Sequence, residues 1–509
     1  MVETITPMKR WMIVIAVMTS AIMVLLDMTI ANVALPQMQG ALGATSDTIT
    51  WVLTAYTMAE AIFIPLTSFF SSKLGERRLL LVAVSGFMVS SILCGQAQSI
   101  EAMVLFRIIQ GMFGAVVIPL SQSLLIAVFP PEERGKAMSI FSIGILLGPI
   151  LGPTLGGLIT QNMDWRWVFY VNVPVGLFCL TMITLFVKTS NKREATIDWP
   201  TMISMAVGIG MLQMVLDQGN QLDWFESRLI QVSIIIAFVG LVYFVHRSFK
   251  TRSPVAPIWM ISNRNLAFGS IMMAIFASAL FGLTAQLPMM LEGALNYPVD
   301  TTGLLMAPRG IAAAITLIAT AKFLNNDRLR WMVAIGALLC GVAGIIMSQY
   351  SENIDFYWLI LPSVIQGCGM GLVFSSLSSI AYTTLKPEEG VAGASIFNLF
   401  RTIGSSFGIS IATTYQFRSA QEQWNSLSQS INPYNPNLQH WLSDTGSSLS
   451  DPTTQAILQE QVHKQSEIVA FVHTFSFITL MFVLIIPFLF LLKIPKHNPS
   501  KQAQPASGH

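Results

Sequence analysis

The chain has 509 residues, of which 53% are hydrophobic and only 11% charged, with a formal net charge of +2. A soluble globular domain carries about 25% charged residues, so this composition excludes an ordinary soluble enzyme and points to an all-α polytopic membrane protein. Nucleic acid is not an expected partner, and the bilayer is.

The first apolar run, WMIVIAVMTSAIMVLL from Trp11, leads into LLDMTIANVALP at 25–36. About 20 apolar residues cross the hydrocarbon, so this run spans, although it carries Asp27, whose charge costs on the order of 3 kcal/mol there. Lys9 and Arg10 ahead of it resemble a signal-peptide start, but no small-residue cleavage site precedes a soluble domain, so a retained span is expected. The same rule gives fourteen transmembrane helices, near 11–35, 49–71, 79–97, 101–128, 136–161, 166–187, 199–217, 228–247, 266–291, 301–323, 331–349, 356–384, 390–417 and 469–492. With both termini cytoplasmic, the inner segments hold 21 of the 28 Lys and Arg residues, the asymmetry that orients membrane proteins.

IQG at 109–111 returns at 365–367, a shift of 256, and PEERGKAMSIF from Pro131 reappears as PEEGVAGASIF from Pro387. Gly148 and Gly152 map onto Gly404 and Gly408 at the same shift. Two six-helix bundles in parallel repeat, related by a pseudo-twofold along the membrane normal, produce this pattern. The bundles then occupy 1–190 and 253–509, with two inserted helices at 191–252 and the substrate path between the bundles at mid-membrane.

The candidates for chemistry are buried charges. Asp27 is roughly 12 Å inside the first span and Arg107 roughly 9 Å inside the fourth, depths compatible with a pair. Glu60 is roughly 14 Å inside the second span, on one face with Tyr56, Phe63 and Thr67. Burial there should raise its pKa toward neutrality, as a proton-coupled carrier needs. Asp27, Glu60 and Arg107 are the proton-coupling candidates; Tyr56, Phe63, Gln110, Arg309 and Arg401 are candidates for the substrate path. Gly144, Gly148, Gly152 and Gly156 recur every four residues, leaving a groove for close helix contact, while Pro149 and Pro153 bend the helix; Gly157 closes the motif. No catalytic constellation or metal-ligand spacing occurs: the six histidines are dispersed, and Cys94, Cys179, Cys340 and Cys368 read as buried small hydrophobes. PPEERGK at 130–136 and KPEEG at 386–390 read as turns making charge contacts between helix ends. In the long polar segment 418–468, Asp451-Pro452 suits a helix start, so a short helix is expected to lead toward the last span.

LDMTIANVALP at 26–36, SSKLGERR at 71–78, LFRIIQG at 105–111 and GILLGPILGPTLGG at 144–157 resemble the motifs of the major facilitator superfamily, specifically its fourteen-span drug:proton antiporter family of EmrB/QacA type. WRWVFYVNVPVG at 165–176, LDQGNQLDWF at 216–225 and SINPYNPN at 430–437 are similar to the EmrB-like pumps of Gram-negative inner membranes. The resemblance implies multidrug export by proton antiport, driven by the proton gradient without a cofactor. It also implies that the glycine seam seals the bundles against leak, and that Lys73, Gly75, Arg77 and Arg78 form a gating loop. Ser72 stands where the superfamily usually has aspartate, so a gating salt bridge does not carry over there. Amphipathic small molecules are the expected substrates, and segment 418–468 the expected dock for a periplasmic adaptor (EmrA-like), with an outer-membrane channel (TolC-like) beyond.

Three other functions compete. An ATP-driven pump lacks its phosphate loop. A membrane-embedded enzyme lacks a clustered constellation near one interface. Proton-coupled uptake of a small solute could use the same carboxyls, and the GP-rich fifth span counts against it only by resemblance.

Overall fold

A computed structural model describes residues 6–129, 133–188, 198–251, 257–321, 328–352 and 354–492. The first helices are α1 (Pro7–Ala41), α2 (Ser46–Ile49), α3 (Trp51–Leu74), α4 (Glu76–Gly95), α5 (Ile100–Val128), α6 (Arg134–Asn162), α7 (Trp167–Tyr170) and α8 (Asn172–Phe186). Then come α9 (Trp199–Gln218) and α10 (Arg228–Thr251), followed by α11 (Arg264–Met289), α12 (Val299–Ala321), α13 (Leu329–Met347), α14 (Phe356–Tyr382), α15 (Gly390–Ser428), α16 (Pro436–Thr445) and α17 (Pro452–Phe488). Among the described residues there is no strand, as expected where every backbone group must be satisfied away from water. Twelve described helical segments are long and apolar enough to cross a membrane. The long helix α15, rich in polar residues, is outside that twelve, and so is α6, some of whose side chains lie outside what the structure describes.

Helices α1, α3, α4, α5, α6 and α8 pack on one another, as do α11 to α15 and α17. Between these groups, α6 meets α12 and α14, and α15 meets α3 and α5. The pair α9–α10 lies to one side, with α9 touching both α3 and α15. Its two helices close at a glycine crossing, where a Cβ on Gly208 would sit 2.8 Å from Leu241 N and one on Gly240 would sit 3.0 Å from Gly208 Cα. Their far end is clamped by Arg247, which grips Asp198 through Nε and Nη2 at 2.9–3.2 Å and holds that carboxyl below its usual range. The expected boundaries at 190/191 and 252/253 lie outside the described residues.

The repeat is visible in the packing. Gly148 and Gly152 bring α6 onto Leu25 and Thr29 of α1, and Gly404 and Gly408 bring α15 onto Ala274 and Ser278 of α11. Gly111 seats α5 on the Tyr56 carbonyl of α3, and Gly367 seats α14 on the Arg309 carbonyl of α12. The glycine groove is therefore a seam inside the first group of helices. A seal directly between the bundles, as the resemblance implied, is not what these glycines make. The structure describes Pro149 and Pro153 as helical, but their side chains lie outside what it describes.

Segment 418–468 is more helical than its polarity implies. The 39 residues of α15 and the 37 of α17 make rods of roughly 58 and 55 Å, longer than the hydrocarbon of about 30 Å. Asp451 does cap a helix, accepting from Thr453 N at 3.3 Å, but that helix is α17 itself, continuous with the last apolar stretch. The ends of α15 and α17 border a half-open, largely apolar cavity of about 380 Å³ lined by Trp424, Ile431, Leu449, Leu458 and Val462, with Ser428, Gln455 and Gln459 among them.

Candidate functional site

Asp27 and Arg107 meet. Arg107 Nη1 lies 2.7 Å from Asp27 Oδ2, and both side chains are 0% exposed. Asp27 Oδ1 accepts from Gln110 Nε2 at 3.0 Å and from Asn172 Nδ2 at 2.6 Å. Arg107 Nη1 also donates to Gln110 Oε1 at 2.8 Å. Asn172 touches Ser91 Oγ at 2.9 Å, and Ser91 in turn donates to the Phe169 carbonyl at 2.9 Å. Four helices are thus tied to one carboxylate: α1, α5, α8 and, through Ser91, α4. Arg107 Nε and Nη2 have no hydrogen-bond partner among the described residues. The guanidinium is instead covered by the rings of Tyr56, 5.3 Å away, and Phe169, 4.9 Å away, a desolvated cation–π arrangement worth about 2 kcal/mol. Gln110, expected on the substrate path, belongs to this closed network. Asn172 and Ser91 were missed; the only signal was that Asn172 sits within WRWVFYVNVPVG.

Glu60 is arranged differently. It is buried on α3 and has no hydrogen-bond or ion-pair partner among the described residues; α15 of the opposite group, which carries the buried Arg401, packs against α3. Arg401 Nε donates to Asn398 Oδ1 at 3.2 Å. Asn398 Nδ2 and Tyr382 Oη both donate to Gln122 Oε1 of α5, at 2.6 and 2.9 Å. This second network crosses between the two groups, and its members Gln122, Tyr382 and Asn398 carried no sequence signal. Phe63 packs with Ala61, Ile64, Met205 and Leu399 in an apolar cluster.

Arg401 and Arg309 line one cavity, with Leu25 and Ile145 from the first group and Leu280, Met306 and Phe374 from the second. Its volume is about 30 Å³, room for roughly two waters. No carboxylate lines it. Arg309 Nη1 donates to Thr284 Oγ1 at 3.0 Å, while Nε and Nη2 are buried without partners among the described residues. A drug-sized ligand does not fit this arrangement; the two groups of helices would have to part.

At the α3–α4 junction, Gly75 has φ +83°, a left-handed turn that favours glycine. Arg77 Nη2 donates to the Thr184 carbonyl at 2.6 Å, Lys73 lies over the Phe69 ring and Arg78 is exposed. Ser72 bonds within its own helix, to Ser68 O at 3.0 Å. Arg10 pairs with Glu133 at 3.3 Å, a charge contact between helix ends; residues 130–132 of that turn lie outside the described residues. Cys94, Cys179 and Cys340 are buried and Cys368 is partly so, all as free thiols.

The model of the Major Facilitator Superfamily matches residues 17–409. The chain is 34% identical over 467 residues to the multidrug export protein EmrB of Haemophilus influenzae, covering 90% of this chain and 91% of that one. It is 33% identical over 483 residues to the fatty acid resistance protein FarB of Neisseria gonorrhoeae, covering 94% of each. Among solved structures, the human organic anion transporter MFSD10 superposes with a TM-score of 0.62 at 14% identity, over 95% of this chain and all of that one.

Proposed function

The chain belongs to the Major Facilitator Superfamily, and from that membership and the geometry around Glu60 we propose that it is a secondary active drug exporter working by proton antiport. The observation that carries the reading is Glu60, a buried carboxyl with no hydrogen-bond partner among the described residues, on a helix packed against α15, the helix of the opposite group that carries the buried Arg401. Ionised, Glu60 draws Arg401 and its half toward the first half; a proton on Glu60 removes that attraction. Proton occupancy then biases how the halves sit, and a substrate bound best in the other arrangement is moved by alternating access, since a ligand shifts an equilibrium only through differential affinity.

We read α6 and α15 as spans alongside the twelve apolar ones, giving fourteen, with both termini cytoplasmic, bundles at 1–190 and 253–509, and α9–α10 as the insert. The proton gradient of a bacterial inner membrane is the sole energy source. Substrates are amphipathic compounds, and because Arg309 and Arg401 line the cavity, those with an anionic or acceptor group are favoured; resistance to fatty acids, for which FarB is named, fits this lining. The rods of α15 and α17 and their apolar outer cavity offer the surface on which a periplasmic adaptor docks, leading to an outer-membrane channel. One observation favours a second reading: an anion on Arg401 leaves Glu60 free to take a proton, so that both would ride together, which is symport.

Everted vesicles energised acid-inside test the proposal with a panel of amphipathic acids, cations and neutral compounds. Antiport predicts partial collapse of the gradient by some of the acids, lost in Glu60→Gln protein that still folds. Accumulation of the compound in the vesicle marks export, and its exit together with protons marks symport. Wild-type vesicles indifferent to the whole panel defeat both readings.

A further inference from the structure

The stretch LDQGNQLDWF joins the inserted pair to both halves, and the mechanism above makes no use of it. Gln218 Nε2 donates to Thr54 Oγ1 of α3 at 3.0 Å, and Thr50 Oγ1 to Gln221 Oε1 at 3.3 Å. On the other side Trp224 Nε1 donates to Thr414 Oγ1 of α15 at 3.0 Å. Asp223 and Trp224 take left-handed backbone angles, φ +52° and +47°, uncommon for residues with a Cβ, and Trp224 lies against Gly219, where an added Cβ would meet the indole at 2.9 Å.

Asp217 sits at the centre of this junction. Its Oδ2 accepts from Thr57 Oγ1 of α3 at 2.7 Å, and its Oδ1 from Gln213 Nε2 at 3.0 Å. The same Gln213 Nε2 donates to Ser406 Oγ of α15 at 2.5 Å, and Gln213 Oε1 is buried with no donor among the described residues. The helices packed on α9 are α3, α10 and α15. Their charged or titratable groups are Tyr56, Glu60 and Lys73 on α3, Arg401, Tyr415, Arg418 and Glu422 on α15, and Arg228, Tyr243, His246, Arg247 and Lys250 on α10; Asp223 and Glu226 lie in the α9–α10 link. None of them forms an ion pair or hydrogen bond with Asp217. A membrane carboxylate held only by a hydroxyl and an amide, beside an acceptor lacking a donor, is one proton short of a satisfied network.

We propose that Asp217 is a second proton-binding site, carried by the inserted helices, whose occupancy sets the direction of the hydrogen bonds that tie α9 to the second half. Without the proton, Gln213 donates to Asp217 and to Ser406 at once, and α9 bridges α3 and α15. With it, the acid O–H becomes the donor: it gives its hydrogen bond to Gln213 Oε1 once the amide has turned over, and the contact with Ser406 reverses, its hydroxyl now donating to Oε1. The proton is taken up from water at the end of α9 and returned there, with no covalent change. This rests on the proton-coupled reading above, and it gives the two extra helices a part in the cycle.

The first test does not depend on transport. Infrared difference spectra of the full-length protein in lipid, recorded across pH, should show a protonated-carboxyl band that titrates in wild type and is lost in Asp217→Asn. In Asp217→Glu the band should persist at a shifted frequency, and this variant decides the matter if the asparagine protein does not fold. Spectra of wild type and both variants that titrate identically overturn the proposal. In the vesicle assay, Asp217→Asn should flatten the pH dependence of substrate-driven proton movement and Asp217→Glu restore it; an unchanged profile in Asp217→Asn makes the residue a packing group. Failure of wild-type transport with the band intact removes the exporter reading and leaves the proton site standing.

Discussion

Replacing Asp27 with asparagine separates two roles that one carboxyl can have. In this structure Asp27 has its cation at 2.7 Å, two amide donors, and no exposure, so the substitution leaves Arg107 charged, buried and without a counter-ion. Removing one member of such a pair costs about 3–5 kcal/mol; the rings of Tyr56 and Phe169 over the guanidinium offset about 2 of that, so we expect a net loss of roughly 1–3 kcal/mol. The assay is thermal stability in detergent or lipid for Asp27→Asn, Arg107→Gln and the double variant. Each single variant should melt well below wild type, and the double should recover part of the loss, because neither group is then left as a lone charge. If Asp27→Asn melts like wild type and the double variant gains nothing, the pair does not hold the four helices together. A transport-dead Asp27→Asn protein of unchanged stability would then place Asp27 among the proton carriers.

Two further substitutions probe the scaffold and the cavity. Alanine at Gly148 puts a Cβ 2.6 Å from Leu25 Cβ, whereas at Gly156 the nearest atom, Val33 Cβ, is 3.1 Å away; Gly148→Ala should lower the melting temperature clearly more, by overpacking worth about 1–3 kcal/mol, and equal effects would refute the seam. Arg309→Met removes a buried cation that has one hydroxyl acceptor among the described residues, so it should leave stability unchanged or raised while export of amphipathic acids falls; a strongly destabilised variant would mean that Arg309 holds α12 in place.

What the sequence made legible followed from rules that act along one helix or at a fixed repeat. Asp27 and Arg107 could be matched because helix rise converts position into depth, and Gly148/Gly404 because the sequence repeats at a shift of 256, which pairs α6 on α1 with α15 on α11. The partners that complete the site obey no such rule. Asn172, Ser91, Gln122 and Asn398 are ordinary polar residues in apolar helices, and only tertiary packing decides which of them reaches a charge. The outer segment misled for a related reason: hydropathy reports where lipid ends, and α15 and α17 continue as helices past that point, where Trp424 of one meets His463 of the other.

The repeat also shows where the two halves stop being equivalent. Gln366 is Gln110 shifted by 256, yet Gln110 is fully engaged by Asp27 and Arg107 while both amide atoms of Gln366 are buried without partners among the described residues. The cause is in the sequence: 256 positions beyond Asp27 and Arg107 stand Leu283 and Ser363. The first half therefore neutralises its deepest cation internally and keeps Glu60 to spare, whereas the second carries Arg309 and Arg401 with no carboxylate of its own lining their cavity. Glu60 and Arg401 are carried by α3 and α15, helices that pack on each other across the surface between the halves. In the proposed cycle the closed arrangement is weighted by whether Glu60 is ionised and by what else neutralises the arginines, the two quantities that a proton and an amphipathic acid change.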